Sequence, residues 1–449
     1  MGIWWRHASG RAWHELGRAF GRGSRRRHGG SLKSLGRCGA VIGLGLVLAL
    51  LVRMPAPAQE KEEDGLTVVH FPAPEFPTLE MGAREVEQPS PGEGEPGAGA
   101  VRGTRGERPN AEEEVTTGAN VAWINSPPLT IARLRGNVLL IDFWEYTCIN
   151  CIRTFPENKK WYERYHKYGF TIIGVHDPEF DIAYSPAHVR EAVKRFGLPY
   201  PVVVDSNFLI WRAYKNNTWP NRFLVDASGV VRYNRSGEGA DGAFERAIQR
   251  LLKEAHPGLE FPASDSIPPD VDRFAASCGI PTPEMYVGNW SGRGILANPE
   301  GYQDGKNRTY RLPASIEEGR AALSGTWKTD KNGMIYHGKA KSDAPSSDQL
   351  EMRYHAREVY VVMNVSHGRP SKLFVEQDGK PLTSSNKGAD VQFGSEGRSF
   401  IEVREPRMYY LVQNAAFGSH NLGLFPTRSG LTINSFTFGN DCQTDFPHL

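Results

Sequence analysis

The stretch Ile141-Asp142-Phe143-Trp144-Glu145-Tyr146-Thr147-Cys148-Ile149-Asn150-Cys151 decides how this chain is read. Residues 137–143 form an apolar run that reads as a buried strand, and it ends in an acid followed by two aromatics. A CxxC then opens the next segment, predicted as a helix over residues 151–168 with Pro156 as an internal kink. Two thiols at a helix start lie where unpaired N–H groups and the positive dipole end favour a thiolate. The chain has five cysteines in 449 residues, and two of them sit here.

Working outward, residues 117–256 alternate between the two periodicities. Strands are expected at 170–175 and 201–205, helices at 186–196 (with Ser185 as N-cap) and 208–214, a hairpin at 222–225 and 230–233, and a closing helix at 244–255. This predicts an α/β domain with a mixed sheet flanked by helices. Residues 257–283 read as a Pro-rich linker. Residues 284–449 switch to period two, as in Leu350, Met352, Tyr354 and again Val359, Val361, Met363. Asp378-Gly379 marks a hairpin turn. Leu431 and Ile433, then Phe436 and Phe438, alternate with a one-residue slip that predicts a bulge. Short strands without helices predict an all-β jelly-roll sandwich.

The N-terminal end reads differently. Residues 1–53 hold ten Lys/Arg against Glu15 alone, while the whole chain carries a net charge of +2, so the remainder is acidic. The pI of 8.2 is therefore no nucleic-acid footprint. The apolar run 38–52 follows this basic flank and precedes Ala56-Pro57-Ala58, as in a signal peptide or an N-terminal membrane anchor at residues 1–58. The folded part should then lie outside the inner membrane. Residues 59–116, rich in Glu, Pro and Gly, read as a disordered spacer.

The spacing points to thiol chemistry. Cys148 is expected to attack a disulfide and Cys151, one turn into the helix, to resolve the mixed disulfide. Asp142, buried under the motif, is expected to have a raised pKa and to relay the Cys151 proton. Trp219-Pro220, ahead of a strand, reads as a cis bond that aligns the substrate chain. Trp144, Thr147 and Trp219 are taken as the substrate-contacting surround, with Trp144 shielding the dithiol. Zinc lacks further ligands nearby and a c-type haem lacks a His after Cys151, so neither a metal nor any other cofactor is expected. His176 reads as a structural His near the thiols, and Glu238 as a residue shaping their pocket. Cys278 and Cys442 bracket the β-domain; a structural disulfide is the expectation, with free thiols or a metal as the alternatives. Tyr286, Trp290, Trp327 and Tyr336 are either core or a sugar-stacking platform.

Asp142-Phe143-Trp144, the gap to Cys148, the gap to Pro156 and Trp219-Pro220 in that order resemble thioredoxin. The added material over residues 176–205 resembles the TlpA/redoxin branch. Trp144-x-Tyr146-Thr147-Cys148-Ile149-Asn150-Cys151, with Gly174-Val175-His176-Asp177-Pro178 and Tyr354-His355-Ala356-Arg357, is similar to the exported thioredoxin plus β-domain half of DipZ-type cytochrome c biogenesis proteins. The resemblance implies a periplasmic thiol-disulfide oxidoreductase working on protein dithiols and disulfides. It implies a separate CcdA/DsbD-like membrane electron carrier as partner, and a β-domain like a carbohydrate-binding module with weak glycan contact. A thiol-dependent peroxidase and a non-enzymatic wall- or glycan-binding protein are the competing readings.

Overall fold

The computed structural model describes residues 61–63, 66–77, 121–261, 280–289, 295–303, 305–338, 346–394 and 396–439. The leader, Cys278, Trp290 and Cys442 lie outside the described residues, so the expectations placed on them are not addressed by the fold. Among the described residues no helix is long and apolar enough to cross a membrane.

The first sheet is built from β1 (Lys61–Glu63), β2 (Leu66–Pro72), β3 (Ala122–Ile124), β4 (Val138–Trp144), β5 (Phe170–His176), β6 (Val202–Val204), β7 (Asn221–Val225) and β8 (Val230–Ser236). Their order is β1-β2-β8-β7-β4-β5-β6-β3, parallel across β4–β5–β6 and antiparallel elsewhere. All seven residues of β4 and of β5 are buried, as expected of strands covered on both faces. The helices are α1 (Ile149–Tyr165), α2 (Pro186–Phe196), α3 (Leu209–Ala213) and α4 (Asp241–Ala255). One apolar layer joins Trp144, Phe155, Trp161, Ile172 and Ile248; the opposite layer joins Ile141, Phe143, Val175, Phe223 and Ile210. Each such fully buried side chain contributes roughly 1.5–3 kcal/mol of transfer free energy. Gly174 is required by packing: a Cβ there would meet Trp144 Nε1 at 2.9 Å, so only glycine lets the indole lie against β5.

One expectation is corrected here. Residues 66–77 are not spacer: β2 pairs with β8 at the sheet edge, and Leu66 and Phe76 are fully buried. Phe76 packs edge-on against Trp123 at 5.6 Å, and Glu75 accepts the backbone N–H groups of Ile131 and Ala132. A few alternating apolar residues suffice to extend an existing sheet edge. Ser185 does occupy the N-cap position of α2, but its side chain makes no capping bond. Pro156 is accommodated inside a continuous α1.

The second sheet comprises β9 (Met285–Tyr286), β10 (Asn307–Tyr310), β11 (Arg320–Thr329), β12 (Met334–Tyr336), β13 (Gln349–Val365), β14 (Ser371–Gln377), β15 (Lys380–Pro381), β16 (Gln392–Phe393), β17 (Ser399–Val403), β18 (Arg407–Pro426) and β19 (Leu431–Gly439). Its main strand order, β10-β11-β12-β19-β13-β18-β14-β17-β16, is antiparallel throughout, around a core that includes Trp327, Tyr354, Leu373 and Phe436. The bulge anticipated near Ile433 is present: the β13–β19 register slips between Val362 and Met363, leaving Asn434 as the extra residue. Asp378 and Gly379 both take positive φ, 53° and 73°, between the paired strands β14 and β15, as a two-residue turn between twisted strands requires.

Candidate active site

β4 and β5 run parallel with Trp144 opposite His176, so both strands end at the same pole of the sheet. The chain leaves β4 through a tight turn in which Cys148 N–H donates to the Glu145 carbonyl at 3.2 Å. Cys148 is the N-cap of α1, and its sulfur accepts from Cys151 N–H at 3.2 Å. The two sulfurs lie 2.6 Å apart. A disulfide needs about 2.05 Å, so closure asks only for side-chain adjustment. Cys148 is half-buried and Cys151 is fully buried. The outer sulfur is thus the more accessible of the two, and the inner one is covered.

The thiolate is not eased in the way the helix start alone predicts. Burial is the largest influence on Cys148 and pushes its thiol up; the bonds from Cys151 pull it down, while the carboxylates of Glu179 and Glu284 push it up further. Burial likewise drives the Cys151 thiol well above its ordinary value, with Cys148 and Asp142 adding to it. Desolvation outweighs the favourable N–H groups because a thiolate loses more hydration than one long bond returns.

Asp142 is fully buried, and burial raises its pKa from 3.8 to about 7. Arg222, its cross-strand neighbour, and Asn158 Nδ2, donating at 2.9 Å, oppose that rise. Trp219-Pro220 is cis, with Trp219 half-buried against the core cluster that includes Cys151 and Pro220 buried.

The substrate-contacting surround needs correction. Trp144 has no exposed surface; its ring lies in the core against Phe155 and His176. Thr147 is also buried, and its hydroxyl and N–H both donate to the Glu145 carboxylate, the N–H at 2.6 Å. Neither side chain offers a face to a substrate. Tight turns bury polar groups when an internal carboxylate satisfies them, a feature that residue types alone do not reveal. Of the aromatic platform, Trp327 and Tyr336 are buried core and Tyr286 donates to Glu179, so these three form no exposed sugar-stacking face.

Several residues escaped sequence reasoning. Glu145 is fully buried, with Oε1 3.8 Å from His176 Nε2. His176 is held between Trp144 and the stacked ring of Tyr146. Arg222, also fully buried, pairs with Asp241 at 3.0 Å and lies 4.3 Å over the Phe244 ring. Its position opposite Asp142 follows once the β4–β7 register is known, and only then. Glu238 meets Arg153 of α1 at 3.5 Å.

Residues 124–234 match the model of the AhpC/TSA family. The chain carries a thioredoxin-like AhpC/TSA-family domain. Residues 282–439, C-terminal to the AhpC/TSA domain, match the family described as thioredoxin-like C-terminal domain. The chain is 34% identical over 321 residues to Protein DipZ of Mycobacterium bovis, a match covering 71% of this chain and 41% of that protein; Protein DipZ of Mycobacterium tuberculosis gives the same figures. The chain thus spans about two fifths of the length of these relatives. The thiol-disulfide oxidoreductase YkuV of Bacillus subtilis is 23% identical over 133 residues, covering 30% of this chain and 89% of that protein. A solved structure, described as a putative thiol:disulfide interchange protein DsbE from Chlorobium tepidum, superposes with a TM-score of 0.26 at 23% identity, covering 28% of this chain and 86% of that one.

Proposed function

We propose that this protein is an extracytoplasmic thiol-disulfide oxidoreductase that reduces protein disulfides through Cys148 and Cys151. The observation that carries the reading is the pairing of a half-buried and a fully buried sulfur 2.6 Å apart at the start of α1. The Cys148 thiolate attacks one sulfur of the client disulfide. That S–S bond breaks, a mixed disulfide forms, and the departing client sulfur takes a proton. Asp142, poised near neutrality, then accepts the Cys151 proton. The Cys151 thiolate attacks Cys148, closing the internal disulfide and releasing the second client thiol. The client gains two electrons and the dithiol loses two. A dithiol of a separate membrane electron carrier of the CcdA/DsbD type restores them, and the leader exports or anchors the chain. The chemistry needs no metal or organic cofactor. We take the β-domain as a jelly-roll module of the carbohydrate-binding type in architecture.

A thiol peroxidase needs hydrogen-bond donors around the attacking sulfur, and Thr147 is instead spent on Glu145. That geometry favours disulfide exchange over peroxide reduction.

Cys151→Ala tests the reading. The variant is expected to accumulate a covalent adduct between Cys148 and its client in the native host envelope, released by dithiothreitol and identified by mass spectrometry. Finding Cys148 free or merely oxidised under those conditions would count against it.

A further inference from the structure

Three segments of the β-domain reach the dithiol pole. Arg153 stands two residues after Cys151 on α1. Its guanidinium donates to Glu358 of β13 at 3.1 Å and contacts Asn150, the residue before Cys151, at 3.4 Å. The Arg153 and Glu358 side chains are 12% and 7% exposed, so water screens this pair little. Tyr360 of β13 lies 5.6 Å from the same guanidinium and belongs to the apolar cluster that holds Ile149 and Cys151. Tyr410 of β18 stacks on Tyr360 at 4.4 Å and donates to Glu358 at 2.9 Å. On another flank, Tyr286 of β9 donates to Glu179, which follows β5, and to Glu284 at 3.1 Å. The Glu284 charge is the smallest of the influences that hold the Cys148 thiol up.

We propose that the β-domain forms one wall of the dithiol site and thereby sets its substrate class: the client cysteine arrives on an extended, unfolded segment, not on the surface of a folded protein. This rests on the disulfide-exchange reading above. A cysteine on a folded surface brings neighbouring elements with it to within a few ångströms of the attacking sulfur. With Cys148 half-buried, β13 and β18 meeting α1 at Arg153 and β9 meeting the segment after β5 at Glu179, such elements find little room. A single extended chain needs only the width of one strand, about 5 Å. Arg153, Glu358, Tyr360 and Tyr286 are specificity-determining in this scheme and take no part in bond making.

The test uses the full chain, recycled by dithiothreitol, on two probes: an unstructured peptide closed by one disulfide, and a stably folded small protein with one exposed surface disulfide. The wild type is expected to favour the peptide in kcat/KM by about tenfold or more, and Glu358→Gln to bring the ratio within about threefold. Tyr360→Ala should shift the ratio the same way. Glu358→Gln is nearly isosteric and leaves no cavity, so the test survives poor folding of the Tyr360 variant. Equal rates in the wild type, or a ratio that neither variant moves, would overturn the wall. Failure of the wild type to turn over either probe would instead overturn the disulfide-exchange reading. Glu284→Gln gives an independent readout. Removing a charge that disfavours the thiolate should speed alkylation of Cys148 by iodoacetamide at pH 7, and no change would count against β-domain control.

Discussion

Cys148→Ser is expected to reduce protein-disulfide reduction to background, a fall of about four orders of magnitude or more in kcat/KM. The serine hydroxyl stays protonated at any usable pH and does not exchange with disulfides. Cys151 offers no substitute, because it is fully buried and a client sulfur cannot approach it. The measurement is dithiothreitol-driven reduction of insulin, corrected for the reaction without protein. A variant retaining a tenth of wild-type activity would mean that another group attacks. The wild type should also quicken as pH rises above neutrality, since burial holds the Cys148 thiol up and each step in pH adds thiolate.

Asp142→Asn should separate stability from catalysis. The carboxyl has a folded pKa of about 7 against an ordinary 3.8, because burial penalises its charge. A raised carboxyl pKa means that stability is fullest below about 3.8, declines as pH rises through about 7 and levels off above it. Over 3.8 to about 7 the loss is on the order of 4 kcal/mol. A neutral amide suffers no such loss, and its oxygen can still accept from Asn158. The variant is therefore expected to be more stable than wild type at pH 8 by a few kcal/mol and no more stable at pH 3. Urea unfolding at the two pH values checks this. The same substitution should slow resolution of the mixed disulfide by about 10²-fold, because Cys151 loses its proton acceptor. The inflection near pH 7 in the resolution rate should vanish with it. An Asn variant no more stable at pH 8 would show that burial does not penalise the charge of this carboxyl.

Much of this was legible in the sequence, for identifiable reasons. β4, the CxxC and α1 announce themselves because a fully buried strand is continuously apolar and the thiols sit at the switch in period. Asp142 stood out as the one acid in that apolar run, and its raised pKa follows from burial alone. The cis bond at Pro220 and the bulge beside Ile433 were likewise readable from local chemistry. What stayed hidden depends on distant pairing. β2 exists because β8 offers it an edge, and nothing within residues 66–72 declares that partner. Arg222 meets Asp142 only through the β4–β7 register. Trp144 and Thr147 look like surface around a reactive thiol until the packing of Gly174 and the Glu145 carboxylate withdraws them inside. The reach of the β-domain to Arg153 spans more than two hundred positions of chain, beyond any local pattern.

The most direct measurement is a redox titration of this chain in glutathione and dithiothreitol buffers, with free thiols alkylated and peptides mapped by mass spectrometry. The expected result is a single two-electron transition in which Cys148 and Cys151 become linked to each other. Both sulfurs remaining free thiols in the most oxidising buffer, or each bonding elsewhere, would contradict the central claim that these two residues form and break their own bond.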